Sequence, residues 1–422
     1  MRVAALLLSV ALAAEPMEAA TKKPAHPTKK KPVRKRRYVA AVSPAVRTAA
    51  LTEINARIES APTAFENPAG LVTFFEQLYR LTPDKDGIHV LHYGDSHTAS
   101  DDWADAMRKS FQGKFGSGGP GFSFAGHPYR GYRRFDVSSA NSKYWETSGT
   151  VGHLDDGKLG LGGVSLTTDR PGQTLSMTAA GEEIELFYLQ QPGGGAIELS
   201  VDDQVAGTIP TNGELTPGYH QFAVTPGLHN CVLKTLDAAP VRLFGWVSQN
   251  HGGVTWETLG INGAQATQLL DWDESILAGN LNQRNPALIV LAYGTNEALK
   301  REWNAESYRD GFRRLIERFR NAAPTASILV VGPPDFRFGA RGSGHLDEVA
   351  EIQRSIAVEN RCAFWNWRAV MGGPGSVNRW VQAGLSQSDH VHLTSTGYRL
   401  LGSTMFQDMM QLYQMFVSTR TE

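Results

Sequence analysis

Apolar residues at Ile54, Ile58, Leu71, Phe74, Phe75 and Leu78 fall three and four apart, which predicts helix from about Thr52 onward. A short strand-like run, Ile88–Tyr93, follows. Beyond it Trp103, Met107 and Phe111 repeat on one helical face, so Gly94-Asp95-Ser96 lies on a strand–turn–helix. From Gly116 to Gly253 the pattern shortens to alternation. Glu183–Tyr188, Ala196–Val201, His220–Val224 and Cys231–Leu236 read as strands, punctuated by turn signals at Pro192-Gly193, Asp202-Asp203, Pro217-Gly218 and Pro226-Gly227. This texture predicts an all-β sandwich of about 110 residues.

Longer periods then return. Ala264–Leu277 reads as helix, and Ala287–Ala292 is a continuous apolar run of the kind a buried parallel strand shows. A helix carrying Phe312, Leu315, Ile316 and Phe319 precedes a second buried strand, Ser327–Val331. Val349–Val358 reads as helix, Ala363–Trp367 as strand and Tyr398–Phe416 as the last helix. Strand and helix alternating at both ends of the chain predict an α/β doubly wound parallel sheet interrupted by the β module. The expected organisation is an α/β domain from residues 51–140 and 250–422 with 141–249 inserted, a unit that a short linker could replace if it packs as a separate core.

The chain has 422 residues, with 41 Lys+Arg against 42 Asp+Glu, and the near balance conceals an asymmetry. Residues 21–50 hold ten basic residues and no acidic one, which leaves the remainder acidic. A basic tail on an acidic body is not the profile of a nucleic-acid-binding domain. Arg2 followed by the 12-residue apolar run Val3–Ala14, ending in Ala11-Leu12-Ala13, reads as a signal peptide over residues 1–14. Export to a periplasmic or cell-envelope location is expected. Residues 15–50 read as a disordered basic linker, either solubilising or tethering the protein to an anionic envelope surface. Two cysteines exclude a disulfide framework and a Cys-rich zinc domain; whether Cys231 and Cys362 pair is left open.

In an open parallel sheet, sites form at the carboxyl ends of the strands. Four groups read as lying there: Gly94-Asp95-Ser96, Leu259-Gly-Ile-Asn-Gly263, Tyr293-Gly-Thr-Asn296-Glu297, and Asp389-His-Val-His392 before the last helix. In this order they resemble the SGNH (GDSL-type) serine hydrolase family, whose fold is a flavodoxin-like parallel sheet and whose members deacylate esters. Gly94-Asp-Ser-His-Thr-Ala-Ser100 followed by a β insert further resembles secreted peptidoglycan O-acetylesterases, which carry a carbohydrate-binding-like β module at that place.

The resemblance implies Ser96 as nucleophile, His392 as base and Asp389 as its orienting partner, which agrees with the chemistry. A serine hydroxyl needs a base to take its proton, and an acid on the other imidazole nitrogen fixes the tautomer. Oxyanion donors would be the N–H groups of Ser96 and Gly263 and the side-chain amide of Asn296, with Gly260 as a rival for Gly263. His97 is a candidate substrate contact, or else packs behind the nucleophile. Asp95 and Glu297 read as holding turns. His390 and His392 form a His-x-His pair, but no further ligands of zinc-hydrolase spacing accompany them, so no metal and no other cofactor is expected. Trp145, Tyr188, Trp246 and Trp256 stack on sugar or fill the core. The expected function is a secreted esterase acting on an O-acetylated glycan polymer, most specifically peptidoglycan. The rivals are an O-acetyltransferase with the same residues and a glycan-binding scaffold.

Overall fold

The computed structural model describes residues 42–83, 86–151, 156–339 and 342–420. The expected signal peptide and most of the basic linker lie outside the described residues. Helix begins earlier than the expected linker boundary. Ser43 caps α1 (Pro44–Ser60) by accepting from the Val46 N–H, and Pro44 suits the first turn because it lacks the donor a helix start leaves unused. The later helices are α2 (Val72–Tyr79), α3 (Ser96–Ala99), α4 (Asp102–Phe115), α5 (Glu274–Arg284), α6 (Thr295–Ala298), α7 (Ala305–Ala322), α8 (Leu346–Glu359), α9 (Trp367–Met371), α10 (Val377–Ala383) and α11 (Ser395–Ser418).

The strands are β1 (Phe65–Glu66), β2 (Ile88–Gly94), β3 (Gly121–Phe124), β4 (Val137–Asn141), β5 (Glu146–Ser148), β6 (Ser165–Thr168), β7 (Thr174–Gln190), β8 (Ala196–Val201), β9 (Gln204–Pro210), β10 (Thr216–Thr235), β11 (Val241–Gln249), β12 (Val254–Gly260), β13 (Leu288–Ala292), β14 (Ser327–Val331) and β15 (Ala363–Trp365). One sheet runs β1-β15-β14-β13-β2-β12, parallel except for β1. Without that short edge strand, the order is the flavodoxin-like 2-1-3-4-5. Alternate residues of the central strands enter opposite cores. Val90, Leu288, Val290, Leu329 and Val331 face α2, α4, α10 and α11, whereas Leu91, Tyr93, Ile289, Leu291, Ile328 and Val330 face α5, α7 and α8. Helices on both faces explain why these strands read as unbroken apolar runs.

Two local expectations change. Val254–Gly260, which the alternating region hid, is the sheet's edge strand. Ala264–Leu277 is a 3-10 turn (Ala266–Asp271) broken at Trp272, after which Asp273 caps α5.

The β module is a nine-stranded sheet with β5-β6-β11-β7-β10-β8-β9 as its path and β3 and β4 attached at its side. It recruits β3 and β4 from residues ahead of the expected Asn141 boundary. Two of the expected strands are one: β10 runs through Pro226-Gly227, where the ladder shifts register between Ala223 and Gly227 in place of a turn. Across the facing Gly181, inward residues of β7 change from Leu175, Met177 and Ala179 to Ile184, Leu186 and Tyr188, so both halves feed one core.

The module is not separately packed. Phe122, Phe124, Leu159, Leu161, Phe187, Leu189, Phe244 and Val247 share a cluster with Leu91, Tyr93, Leu259 and Tyr293 of the α/β sheet. Polar bonds cross the same junction: Tyr93 Oη donates to Leu161 O at 2.8 Å, and Gln283 Nε2 to Glu185 Oε1 at 2.6 Å. The alternation pattern could not reveal this, because it registers a strand's buried face and not what covers the other face.

Candidate active site

The topological switch of the parallel sheet lies between β2 and β13, and their carboxyl ends carry Ser96 and Asn296. Gly94 ends β2 between Gly260 of β12 and Ala292 of β13. A Cβ there would stand 2.1 Å from Thr98 Oγ1 and 2.9 Å from Ala292 O, so only glycine lets the chain turn beneath α3. Asp95 caps the turn, as expected. Its Oδ1 accepts from the His97 N–H at 2.9 Å and its carbonyl from Thr98 and Ala99. Burial drives the Asp95 carboxyl up to about 8 against those bonds.

Ser96 thus projects from the first residue of α3. Its Oγ lies 3.0 Å from His392 Nε2. His392 Nδ1 lies 2.7 Å from Asp389 Oδ2, while Asp389 Oδ1 accepts from the backbone N–H groups of Val391 and His392 at 2.9 and 3.0 Å. Burial opposes the Asp389 charge, but the His392 ring and these two N–H groups hold its carboxyl below the usual range. The Asp389–His392 loop follows α10 and not a strand, contrary to expectation. It is pinned by Gln387 N to His392 O at 2.8 Å and Arg337 N to His390 O at 2.9 Å, and it places His390 at φ +59°. Both nitrogens of His392 are engaged with Ser96 and Asp389, so the His-x-His pair is not presented as a pair of ligands.

Asn296 is brought to the same place. Its Nδ2 donates to Ala264 O at 3.0 Å and makes a longer contact of 3.4 Å with Asp95 Oδ2. Gly263 is exposed beside it, in a turn at φ +79°. Gly260 belongs to the ladder opposite Gly94 and is packed on Thr98 and Ala99, which leaves Gly263 as the glycine facing outward. Glu297 fastens the loop, accepting from Ala266 N at 2.7 Å and Gly294 N at 3.0 Å.

His97 is only 2 % exposed. Its Nδ1 lies 2.7 Å from Tyr398 Oη, its ring stands edge-on to Trp367, and its centroid is 5.4 Å from that of His392. Burial, and then the neighbouring His392, push its pKa down to about 3, so it is neutral. It packs behind Ser96 and His392 and does not open to the surface. Sequence reasoning missed Tyr398 and Trp367, since an aromatic in a helix carries no signal separating site from core. Trp145, Tyr188, Trp246 and Trp256 are all buried in cores. Cys231 and Cys362 are separate buried thiols.

Residues 231–400 match the model of the GDSL-like Lipase/Acylhydrolase family. The match omits the Ser96 turn, which the β insert separates from it in sequence. A peptidoglycan O-acetylesterase structure is similar over 84 % of this chain and 99 % of that one, with a TM-score of 0.71 and 25 % identity. This chain is a carboxylic ester hydrolase with a GDSL-like domain. The hydrolase also has weaker structural likenesses. One is to a lipase/acylhydrolase from Enterococcus faecalis (TM-score 0.31, 18 % identity, 37 % of this chain and 76 % of that one). Another is to a family two carbohydrate esterase from Cellvibrio japonicus (TM-score 0.28, 12 % identity, 66 % and 98 %). No curated protein matches the chain in sequence.

Proposed function

We propose that the enzyme removes O-acetyl groups from peptidoglycan through an acetyl-enzyme on Ser96. The observation that carries the reading is the unbroken relay of Ser96 Oγ, His392 and Asp389, at 3.0 and 2.7 Å, on a fold similar to that of a peptidoglycan O-acetylesterase. Ser96 Oγ attacks the acetyl carbonyl as His392 Nε2 takes its proton. Asp389 accepts from Nδ1–H, fixing the tautomer and stabilising the imidazolium. The oxyanion receives hydrogen bonds from the N–H groups of Ser96 and Gly263 and from the Asn296 hydrogen held only by the 3.4 Å contact to Asp95. The sugar oxygen leaves with the proton from His392. Water, deprotonated by the same base, then releases acetate and restores Ser96. The apolar run Val3–Ala14 supports export to the cell envelope, where this polymer lies, and the basic stretch Thr21–Arg37 supports retention at its anionic surface.

The test is acetate release from O-acetylated peptidoglycan and from acetylated xylan, with wild type and Ser96→Ala. Release from peptidoglycan by wild type alone is expected. Preference for xylan, or retained release in the variant, would overturn the reading. Transfer of acetyl to added sugar in place of acetate release would favour a transferase.

A further inference from the structure

A cleft of about 500 Å³ opens between α4, α11 and the loop before β4. Its α11 wall, Ser395, Arg399 and Ser403, begins three residues after His392, within about 11 Å of it along the chain. Its α4 wall runs from Asp102 to Lys109, about 10 Å down the helix. The α11 wall of the cleft is therefore near enough to His392 for one branched substrate to reach both.

The third wall is an extended segment with alternating fates. Tyr132 and Arg134 point inward and are buried; Arg133 and Phe135 point outward, and Phe135 is 52 % exposed. The alternation is held rigidly. Arg134 donates to Phe122 O and Pro120 O, each at 2.8 Å, and pairs with Asp136, while Phe135 N donates to Asp101 Oδ2 at 2.8 Å.

Charge in the cleft is unevenly satisfied. Lys109 pairs with Asp105, which Arg108 also holds from beneath. Arg133 and Arg399 have no carboxylate partner among the described residues, and the second acidic residue of the cleft, Asp102, is buried. Two guanidiniums without a carboxylate partner, one of them giving its Nε–H to Ser395 O, stand beside an exposed phenyl ring and fit a chain bearing both carboxylates and apolar side chains.

We infer that this cleft receives the carboxylate-bearing peptide arm that branches from the glycan beside the acetylated sugar. The inference rests on the peptidoglycan reading above and deepens it. The sugar strand offers the cleft little charge, whereas the peptide arm carries free carboxylates, and about 10 Å accommodates three extended residues. The enzyme thus selects acetylated sugars whose peptides are still attached.

The experiment compares O-acetylated peptidoglycan with the same polymer stripped of its peptides by an amidase, using wild type, Arg133→Gln/Arg399→Gln, and Arg313→Gln as an arginine outside the cleft. Wild type should show kcat/KM about tenfold higher with peptides present, equivalent to about 1.4 kcal/mol. The double variant should lose that ratio and Arg313→Gln should keep it. Raised salt should compress the wild-type ratio. Equal turnover of both polymers by wild type, or an undiminished ratio in the double variant, overturns the cleft assignment and leaves the peptidoglycan reading standing. No acetate from either polymer, with nitrophenyl acetate still hydrolysed, defeats that reading and this inference together.

Discussion

Replacing Asp389 by Asn separates what its carboxylate does for the loop from what it does for His392. Oδ1 takes the N–H groups of Val391 and His392, and an amide oxygen can continue to do so. Oδ2, 2.7 Å from Nδ1, becomes an NH2 group, which only donates. Nδ1 must then present its lone pair, and the ring proton moves to Nε2, 3.0 Å from Ser96 Oγ, where it blocks proton acceptance. Loss of one charge-assisted hydrogen bond, about 1.5–3 kcal/mol, accounts for roughly 10- to 150-fold. The corresponding change in the chymotrypsin-type triad costs about 10⁴, through the wrong tautomer. Here the Asp389 side chain is 44 % exposed, so water relieves part of the clash. The expected loss in kcat is about 10²–10³, with KM little changed. Asp389→Ala should lose as much activity and also lower Tm, because it releases the two backbone N–H groups as well. Steady-state hydrolysis of nitrophenyl acetate with thermal melts of both variants is the assay. Its pH dependence has a fixed sign. The folded carboxyl is held below its unfolded value, so its stabilisation is complete above the unfolded value and is lost as pH falls through the folded one. The melting gap between wild type and Asp389→Ala should therefore close on acidification. Asp389→Asn within tenfold of wild type would refute the orienting role.

Asn296→Ala should lower kcat by about 10²–10³ with folding retained; a loss confined to KM would remove it from the oxyanion site. Asp95 has a folded pKa raised to about 8 by burial, so the native state holds its proton longer than the unfolded chain does. Stability should therefore decline from about pH 4 to pH 8 through this group, and Asp95→Asn, which keeps the cap, should melt progressively above wild type across that range; a constant difference in Tm would contradict the raised value. Replacing residues 141–249 by a short linker removes Leu159, Leu161, Phe187, Leu189, Phe244 and Val247 from the shared core, roughly 10–15 kcal/mol of burial, comparable to a domain's whole stability. The shortened chain should not fold, and a soluble, cooperatively melting product would refute the shared core.

The parallel sheet was legible in the sequence because burial on both faces makes apolar runs, here too short for helices and alternating with helical periods. Ser96, Asn296 and the Asp389–His392 pair were legible because each sits with glycines or at a fixed short spacing that its chemistry demands. β12 was not, since Val254–Gly260 follows an alternating module and its Glu257 and two threonines look half-exposed. They are buried because Arg284 neutralises Glu257 and Arg108 hydrogen-bonds Thr258, partners 27 and 150 residues away. The split of Ala264–Leu277 was equally hidden: the 3-10 turn preserves a helical-looking spacing. His97 shows the limit of adjacency. Next to Ser96 in sequence, it turns into the core because α3 rotates successive side chains by about 100°.

The shared core also changes what the β insert contributes. A carbohydrate-binding-like insert would gather polymer and leave the bond-making groups to the α/β domain. Yet the edge strand β12 ends in the Gly260–Gly263 turn, and it is the segment after β3 that secures this turn: Tyr129 Oη donates to Gly260 O at 2.6 Å. Val151, from the loop between β5 and β6, lies against Gly263. Beneath them, Gly157 O takes the N–H of Asp273 at 2.8 Å, fixing the start of α5. On the proposed mechanism, the backbone donor of the oxyanion site is thus positioned by the inserted chain. Tyr129→Phe removes one hydrogen bond, worth about 0.5–1.5 kcal/mol, from the base of that turn. If the insert sets the donor's position, kcat should fall by a few-fold to tenfold on nitrophenyl acetate and by the same factor on O-acetylated polymer, since both reactions share the oxyanion. A loss seen on polymer alone would make Tyr129 a polymer contact, and no loss on either would return the placement of Gly263 to the α/β sheet alone.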